Sequence, residues 1–121
     1  MRLMLVEDEA ALLALVGRQL ERDGHAVTRC ASAEEARAAV ADGGEWPDVL
    51  IVDETLPGES GSSLAGAWLG ERPSMGCVLS SGYPLSLELL PEGVRGRTVI
   101  LQKPYLPAML RESVAAVAPR L

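Results

Sequence analysis

The segment Asp48-Val49-Leu50-Ile51-Val52-Asp53 is an unbroken aliphatic run with a carboxylate at each end. An apolar run of this length without polar alternation is typical of a strand that is buried on both faces, as in a parallel sheet. Residues 48–52 are therefore predicted to form a central strand. Asp53 stands at the point where that strand leaves the core.

Three other short apolar runs also lead directly to a charged or hydroxyl side chain. These side chains are Glu7 and Asp8 after residues 2–6, Ser80 at the end of residues 76–80, and Lys103 after residues 98–102. If the runs are neighbouring parallel strands, their carboxyl ends meet at one edge of the sheet, which is where open α/β sheets bind ligands. The spacing therefore predicts that these side chains gather around Asp53.

Helical patterns lie between the apolar runs. Helices are predicted at residues 9–23, from Ser32 to about Asp42, from Ser62 or Ser63 through Leu69, and at residues 106–118. Residues 25–30 are predicted to form one further strand, and Pro91 and Gly93 limit the Leu-rich stretch 84–90 to a short fourth helix. Strict alternation of strands and helices predicts one α/β domain over residues 1–121, with a doubly wound parallel sheet and helices on both faces.

The composition argues against several classes of function. The chain carries a formal net charge of −6 and shows no basic patch of the kind that nucleic-acid-binding proteins use. No apolar stretch approaches the ~20 residues of a membrane span, and the N-terminus lacks the features of a signal peptide. Cys30 and Cys77 lie far apart in apolar surroundings, which is typical of buried free thiols in a cytosolic protein. We therefore expect a cytoplasmic protein without nucleic-acid or membrane partners.

The predicted cluster has the chemistry of a phosphoryl site. Glu7, Asp8 and Asp53 would repel one another and raise one another's pKa unless a cation lies among them. Mg²⁺ suits such a site because it prefers oxygen ligands from carboxylates, water and phosphate. Asp53 would then stay ionised and act as a carboxylate nucleophile towards phosphorus. Lys103, the Ser80 hydroxyl and backbone N–H groups after Asp53 and Ser80 would contact the phosphoryl oxygens.

Several motifs give this chain a specific resemblance to the receiver domains of two-component response regulators. The motifs are Val6-Glu7-Asp8-Glu9, Asp48-Val49-Leu50-Ile51-Val52-Asp53, Leu56-Pro57-Gly58 with Gly61, Leu79-Ser80-Ser81-Gly82-Tyr83-Pro84, and Leu101-Gln102-Lys103-Pro104-Tyr105. The resemblance covers essentially the whole chain. It implies a flavodoxin-like sheet of five parallel strands in the order 2-1-3-4-5. The Ser-Gly-Tyr-Pro and Leu-Gln-Lys-Pro segments are most similar to receivers that belong to or serve hybrid histidine kinases.

The resemblance also implies how the site would hold a metal. Asp53 is implied as the phosphoacceptor, and Glu7 and Asp8 as the acidic pair that binds Mg²⁺. Glu7 is expected to reach the metal through water. The carbonyl oxygen of Thr55 is implied as a backbone ligand, so the predicted metal set is Glu7, Asp8, Asp53 and Thr55.

The resemblance implies two further roles at the strand ends. Ser80 is implied as the hydroxyl that moves towards the phosphoryl group, and Lys103 as the lysine of the site, followed by a cis peptide bond to Pro104. One position departs from the family pattern. Many receivers carry Phe or Tyr three residues before the lysine, whereas this chain carries Ile100. A relay from Ser80 to an aromatic ring at that position is therefore not expected.

The expected function is phosphorylation-switched signalling rather than enzymatic turnover. A histidine kinase or histidine phosphotransfer protein would donate the phosphoryl group to Asp53, and only self-phosphotransfer and autodephosphorylation are expected as reactions. One alternative is a degenerate receiver that binds a protein partner independently of phosphorylation. A small aspartyl-phosphate phosphatase would place a second Asp where Thr55 stands. An FMN-binding module would need a Ser/Thr/Gly-rich phosphate loop where this chain carries Glu7-Asp8-Glu9.

Overall fold

A five-stranded parallel sheet organises residues 1–119, which are the residues that the computed structural model describes. The strands are β1 (Arg2–Val6), β2 (Ala26–Cys30), β3 (Val49–Asp53), β4 (Gly76–Ser81) and β5 (Thr98–Gln102). The α-helices are α1 (Ala10–Arg22), α2 (Ala33–Val40), α3 (Gly61–Glu71) and α4 (Pro107–Val117). The strands lie in the order β2-β1-β3-β4-β5, which confirms the predicted fold class and strand order.

Alternating side chains along β3 divide the core into two layers. Val49 and Ile51 belong to the layer between the sheet and helices α1 and α4. Leu50 and Val52 belong to the layer between the sheet and helices α2 and α3. Because helices cover both faces of the sheet, β3 offers no polar face, and its chemistry is confined to the strand end.

The strand register decides which side chains meet at the carboxyl edge. Asp53 lies directly opposite Ser80 on the neighbouring strand β4. Val6, the last residue of β1, lies opposite Val52 of β3. Glu7 therefore leaves the sheet at the same level as Asp53. The predicted meeting of the first, third and fourth strand ends follows from this parallel pairing.

The start of α3 differs from the predicted start at Ser62 or Ser63. The helix begins at Gly61 and is capped by Ser60, whose hydroxyl accepts a hydrogen bond from the Ser63 N–H at 3.2 Å. Every serine in this stretch suits an N-cap, so local preference does not choose among them. A tertiary contact does, because a Cβ at Gly61 would lie 2.3 Å from the carbonyl oxygen of Asp53. Only glycine lets the helix approach the strand end this closely.

The segment between β4 and β5 contains two short 3₁₀ helices, Leu87–Leu89 and Glu92–Arg97, and no α-helix. Pro91 separates the two pieces, as predicted, but neither piece is α-helical, and Gly93 lies inside the second piece rather than ending a helix. Leu90 and Val94 anchor the segment in the core. The Arg97 guanidinium donates, at 2.8–2.9 Å, to carbonyl oxygens at the end of α3 and in the segment that joins α3 to β4. These contacts hold the segment against α3 without a fourth α-helix.

Two expectations drawn from composition can be compared with the structure. Cys30 and Cys77 are both buried and unpaired, as predicted, and burial raises the pKa of the Cys30 thiol to about 11. Within residues 1–119, no helix has the length and apolar character needed to cross a bilayer.

Candidate phosphoryl and metal site

Asp53 lies at the centre of the carboxyl edge and is only 6% exposed. Its Oδ1 lies 3.0 Å from Lys103 Nζ and accepts a long hydrogen bond of 3.4 Å from the Ser80 hydroxyl. Neither contact involves Oδ2 of Asp53. Within residues 1–119, the buried polar side-chain atoms that lack a hydrogen-bond partner do not include this oxygen. Oδ2 is therefore the Asp53 oxygen that keeps some contact with solvent.

Lys103 joins Asp53 to Glu7. Its ammonium lies 2.6 Å from Glu7 Oε1, which is closer than its contact with Asp53. The second oxygen of Glu7, Oε2, accepts a hydrogen bond from the Glu9 N–H at 3.2 Å. Glu7 is 5% exposed, so its charge depends on these two donors rather than on water. The lysine is the counter-ion of two buried carboxylates.

Burial and charge act in opposite directions on this ion pair. Burial raises the pKa of Glu7 above its ordinary value of 4.5, and the hydrogen bond from Lys103 only partly offsets that shift. Burial alone would lower the pKa of Lys103, but its bonds to Glu7 and Asp53 outweigh this effect, and the pKa is raised. Lys103 is therefore firmly protonated, while the ionised form of Glu7 is favoured by any further cation nearby.

The acidic residues form a group that fits a divalent cation. One carboxylate oxygen from each of Glu7, Asp8 and Asp53 lies within 4.8 Å of the others. Glu7 and Asp53 are buried, whereas Asp8 is exposed and forms the outer side of the group. A set of hard carboxylate oxygens with one side open to water matches the preference of Mg²⁺. Thr55, the predicted backbone ligand, is exposed in the loop that follows β3.

One predicted backbone donor is already engaged. The N–H of Glu54, directly after Asp53, donates to the carbonyl oxygen of Ser80 at 2.8 Å. The Glu54 N–H is therefore not a free donor at this strand end. The next N–H along the chain belongs to Thr55, and the N–H after Ser80 belongs to Ser81. The same bond ties the end of β3 to Ser80.

Sequence patterns do not single out two groups that fasten the loop after β3. The Glu54 carboxylate is buried and accepts hydrogen bonds from Ser62. The Arg37 guanidinium of α2 makes two hydrogen bonds, of 2.9 and 2.8 Å, to the carboxylate of Glu59 in the loop. These partners are far apart in sequence or irregularly spaced, so no periodic signal marks them.

The peptide bond between Lys103 and Pro104 is cis, as the resemblance implied. Next to it, a groove of about 710 Å³ opens between α1 and the segment after β5. The groove is lined by apolar residues, including Leu15, which is 59% exposed, and by the basic side chains of Arg18 and Arg22. The site therefore adjoins a largely apolar surface with positive charge.

A parallel sheet with an acidic cluster, a carboxylate-ended central strand, a hydroxyl and a lysine at one edge defines a receiver domain. The family model described as the response regulator receiver domain matches residues 3–115. The chain therefore belongs to the response regulator receiver domain family, which confirms the resemblance seen in the sequence. Receiver domains are signalling domains rather than conventional enzymes.

Some proteins with sequences similar to this chain are much longer than it is. The sensory/regulatory protein RpfC of Xanthomonas campestris pv. campestris is 31% identical over 98% of this chain, and the match spans 16% of RpfC. The chain thus covers about a sixth of that relative. The crystal structure of the receiver domain from the hybrid histidine kinase CckA is 30% identical, with a TM-score of 0.77 and coverage of 97% of this chain and 99% of that one.

A second solved structure supports the fold independently. The response regulator receiver protein from Sinorhizobium medicae is 26% identical to this chain and superposes with a TM-score of 0.82. The match covers 97% of this chain and 93% of that protein. The likeness to receivers therefore extends over nearly the whole chain.

Proposed function

We propose that this protein is a phosphorelay receiver that accepts a phosphoryl group from a partner phosphohistidine onto Asp53 with Mg²⁺. The observation that carries the proposal is the arrangement around Asp53. Its carboxylate lies within 4.8 Å of ligand oxygens from Glu7 and Asp8, 3.0 Å from Lys103 and 3.4 Å from Ser80. This single cluster combines a nucleophile, a metal donor set, a fixed positive charge and a hydroxyl.

The proposed reaction needs no further catalytic group. An Asp53 carboxylate oxygen attacks the phosphorus, the phosphorus–nitrogen bond to the donor imidazole breaks, and an acyl phosphate forms on Asp53. A water molecule later attacks the same phosphorus, the acyl phosphate bond breaks, and inorganic phosphate leaves with the carboxylate restored. Bound Mg²⁺ would supply positive charge for the phosphoryl oxygens at a site held by Glu7, Asp8, Asp53 and the Thr55 carbonyl.

Lys103 and Ser80 have distinct proposed roles once Asp53 carries the phosphoryl group. The Lys103 ammonium, now shared between Glu7 and Asp53, would pair with a phosphoryl oxygen as a point charge. The Ser80 hydroxyl holds Asp53 only through a long bond of 3.4 Å, so little is lost when it turns towards a phosphoryl oxygen. This movement would be the local event that changes the surface seen by a protein partner.

The proposed phosphodonor is a histidine kinase or a histidine phosphotransfer protein. The likeness to a receiver of the hybrid histidine kinase CckA supports this class of partner. The groove beside Lys103 adds room for a protein surface next to the site, since its exposed Leu15 and basic Arg18 suit an apolar and acidic contact. Two buried, unpaired cysteines support the cytoplasm as the place of this exchange.

The test is phosphorylation of the purified protein by acetyl phosphate with Mg²⁺, followed by intact mass measurement. The wild-type protein is expected to gain one alkali-labile phosphoryl group only when Mg²⁺ is present. Asp53→Asn is expected to gain none. Asp48→Asn is the matched control, because Asp48 precedes the same strand at its opposite end and accepts a hydrogen bond from the Arg2 N–H.

The outcomes separate the proposal from the phosphorylation-independent alternative. Labelling of Asp53→Asn at the wild-type level would exclude Asp53 as the acceptor. A folded wild-type protein that binds neither Mg²⁺ nor beryllofluoride and takes no phosphate would favour a degenerate receiver. Hydrolysis of a phosphate monoester such as p-nitrophenyl phosphate, which contains neither an acyl phosphate nor a phosphorus–nitrogen bond, would instead favour a phosphatase.

A further inference from the structure

Glu54 is a charged residue with an unusual position next to the phosphoacceptor. It is only 9% exposed, although it directly follows the last residue of β3. Its Oε1 accepts a hydrogen bond from the Ser62 N–H at 2.6 Å, and its Oε2 accepts one from the Ser62 hydroxyl at 2.9 Å. Both carboxylate oxygens are therefore used to hold the first turn of α3. Burial of a carboxylate is costly, and these two bonds offset that cost.

The backbone around Glu54 closes the same loop. The Gly61 N–H donates to the Glu54 carbonyl oxygen at 3.1 Å, and the Gly61 Cα packs against the Asp53 carbonyl. The two ends of the loop formed by residues 55–60 therefore lie close together, next to the peptide between Asp53 and Glu54. The Glu54 N–H also donates to Ser80 at 2.8 Å. Glu54 thus connects the loop, the start of α3 and the strand that carries Ser80.

We propose that Glu54 is a positioning residue that holds the loop after β3 in the geometry that the metal site requires. The inference rests on the proposed function, because the loop begins with Thr55, whose carbonyl is the proposed backbone ligand of Mg²⁺. A carbonyl ligand on an exposed loop is precise only if both ends of the loop are fixed. The bonds from Ser62 to Glu54 fix the second end. Glu54 itself is not a metal ligand in this arrangement.

The alternative explanations make different predictions for two substitutions. If Glu54 acted only through its negative charge, Glu54→Gln and Glu54→Leu would weaken Mg²⁺ binding equally. If it acts through hydrogen bonds, Glu54→Gln keeps most of the effect, because the amide oxygen can accept from the Ser62 N–H and the amide group can donate to the Ser62 hydroxyl. Ser62→Ala removes one of the two bonds without any change of charge, and it remains informative if Glu54→Leu does not fold.

A matched control lies at the other end of the same helix. Arg97 caps the C-terminal end of α3 through bonds to the carbonyl oxygens of Leu69 and Arg72, and it also bonds to the carbonyl oxygen of Met75 just before β4. Arg97→Ala therefore loosens α3 without a direct effect on the loop after β3. Its free energy of unfolding is expected to fall, while its affinity for Mg²⁺ is expected to stay at the wild-type value.

The experiment measures three quantities for each variant: the Kd for Mg²⁺ by calorimetry, the free energy of unfolding in urea, and amide hydrogen exchange at Ser62 without metal. Glu54→Leu is expected to weaken Mg²⁺ binding about tenfold, a typical effect for a group that orients metal ligands. Ser62→Ala is expected to weaken Mg²⁺ binding about threefold, and the Kd of Glu54→Gln is expected to stay within about twofold of the wild-type value. Exchange at Ser62 is expected to accelerate in Glu54→Leu and to stay slow in Glu54→Gln.

The possible failures are distinguishable. If the folded wild-type protein binds no Mg²⁺, the proposed function and the role of Glu54 fall together. If the wild type binds Mg²⁺ and Glu54→Leu binds it equally well, only the role of Glu54 is refuted. Equal weakening by Glu54→Gln and Glu54→Leu would refute positioning in favour of charge. If Arg97→Ala weakens Mg²⁺ binding as much as Glu54→Leu does, the effect of Glu54→Leu comes only from the lower stability of α3, and the positioning role is refuted.

Discussion

Replacement of Lys103 by methionine tests whether this lysine is the counter-ion of the acidic cluster. Methionine keeps an unbranched apolar stem and removes only the ammonium group. In the metal-free protein, Glu7 and Asp53 would then lose a positive charge at 2.6 and 3.0 Å while both stay about 7% exposed at the side chain. We expect the free energy of unfolding of Lys103→Met without metal to fall well below that of the wild type.

The magnitude can be worked out from these distances. At an effective dielectric constant near 20, the two contacts correspond to about 6.4 and 5.5 kcal/mol of gross attraction, most of which is offset by desolvation. Loss of one partner from a buried ion pair typically costs about 3–5 kcal/mol. The Lys103 side chain is 22% exposed, so water screens part of the interaction, and the lower end applies. We therefore expect a loss of about 3 kcal/mol.

Magnesium should remove most of that loss. A cation bound by the same carboxylates replaces the missing ammonium, so the loss with saturating Mg²⁺ is expected to shrink to about 1 kcal/mol. The thermodynamic cycle then requires Lys103→Met to bind Mg²⁺ about 30-fold more tightly than the wild type, because about 2 kcal/mol separates the two conditions. Acetyl phosphate labelling should nevertheless slow, because the phosphoryl oxygens lose their fixed positive charge.

The assay is urea unfolding in EDTA and in saturating Mg²⁺, with Arg2→Met as the control. Arg2 pairs with Glu45 at the other end of β1, away from the acidic cluster and the loop after β3, so its loss is expected to cost under about 1 kcal/mol and to be the same in both conditions. An equal loss for Lys103→Met in EDTA and in Mg²⁺ would refute the counter-ion role. So would a variant that is more stable than the wild type in EDTA.

Three further predictions concern the surroundings of the site. Gly61→Ala should lower the free energy of unfolding by about 1–3 kcal/mol and weaken Mg²⁺ binding, because the added Cβ would lie 2.3 Å from the Asp53 carbonyl oxygen. Wild-type stability in urea and wild-type Mg²⁺ affinity in calorimetry would contradict this contact. The Arg37 hydrogen bond lowers the pKa of Glu59, so this pair stabilises the fold above about pH 4.5 and ceases to do so as the pH falls through the lower folded-state value. Glu59→Gln should therefore cost about 0.5 kcal/mol at pH 7 in urea unfolding, and this cost should shrink as the pH falls below 4.5. A cost that does not change with pH would rule out the ion pair as its source. Burial raises the pKa of both cysteine thiols, so iodoacetamide at pH 8 should label Cys30 and Cys77 only after unfolding, and rapid labelling of the native protein, measured by mass, would contradict their burial.

The strands could be predicted because a doubly covered parallel sheet leaves a direct record in the sequence. Every residue of β3 is buried, so the run from Val49 to Val52 contains no polar position. The side chains that follow such runs must lie at one edge, whatever the packing details, because the strands are parallel and in register. The meeting of Glu7, Asp53 and Ser80 could therefore be predicted from the sequence alone.

Local sequence preferences could not predict the start of α3, because several neighbouring residues suit an N-cap equally well. Ser60, Ser62 and Ser63 all suit a helix N-cap, and the correct start of α3 follows from a contact between Gly61 and the backbone of Asp53. Likewise, Leu90 and Val94 anchor the segment before β5 in the core, although in the sequence they are only scattered apolar residues.

The residue types of the site could therefore be predicted from the sequence. The choice of hydrogen-bond and ion-pair partners within the site depended on the tertiary structure. Strand-end residue types and parallel pairing suffice to bring Asp53, Ser80 and Lys103 together. The tertiary structure decides that Lys103 approaches Glu7 more closely than Asp53, and that Glu54 turns away from solvent to hold Ser62. The physical reason is range: burial patterns are recorded residue by residue, but the choice among hydrogen-bond partners depends on distances of a few tenths of an ångström between distant segments.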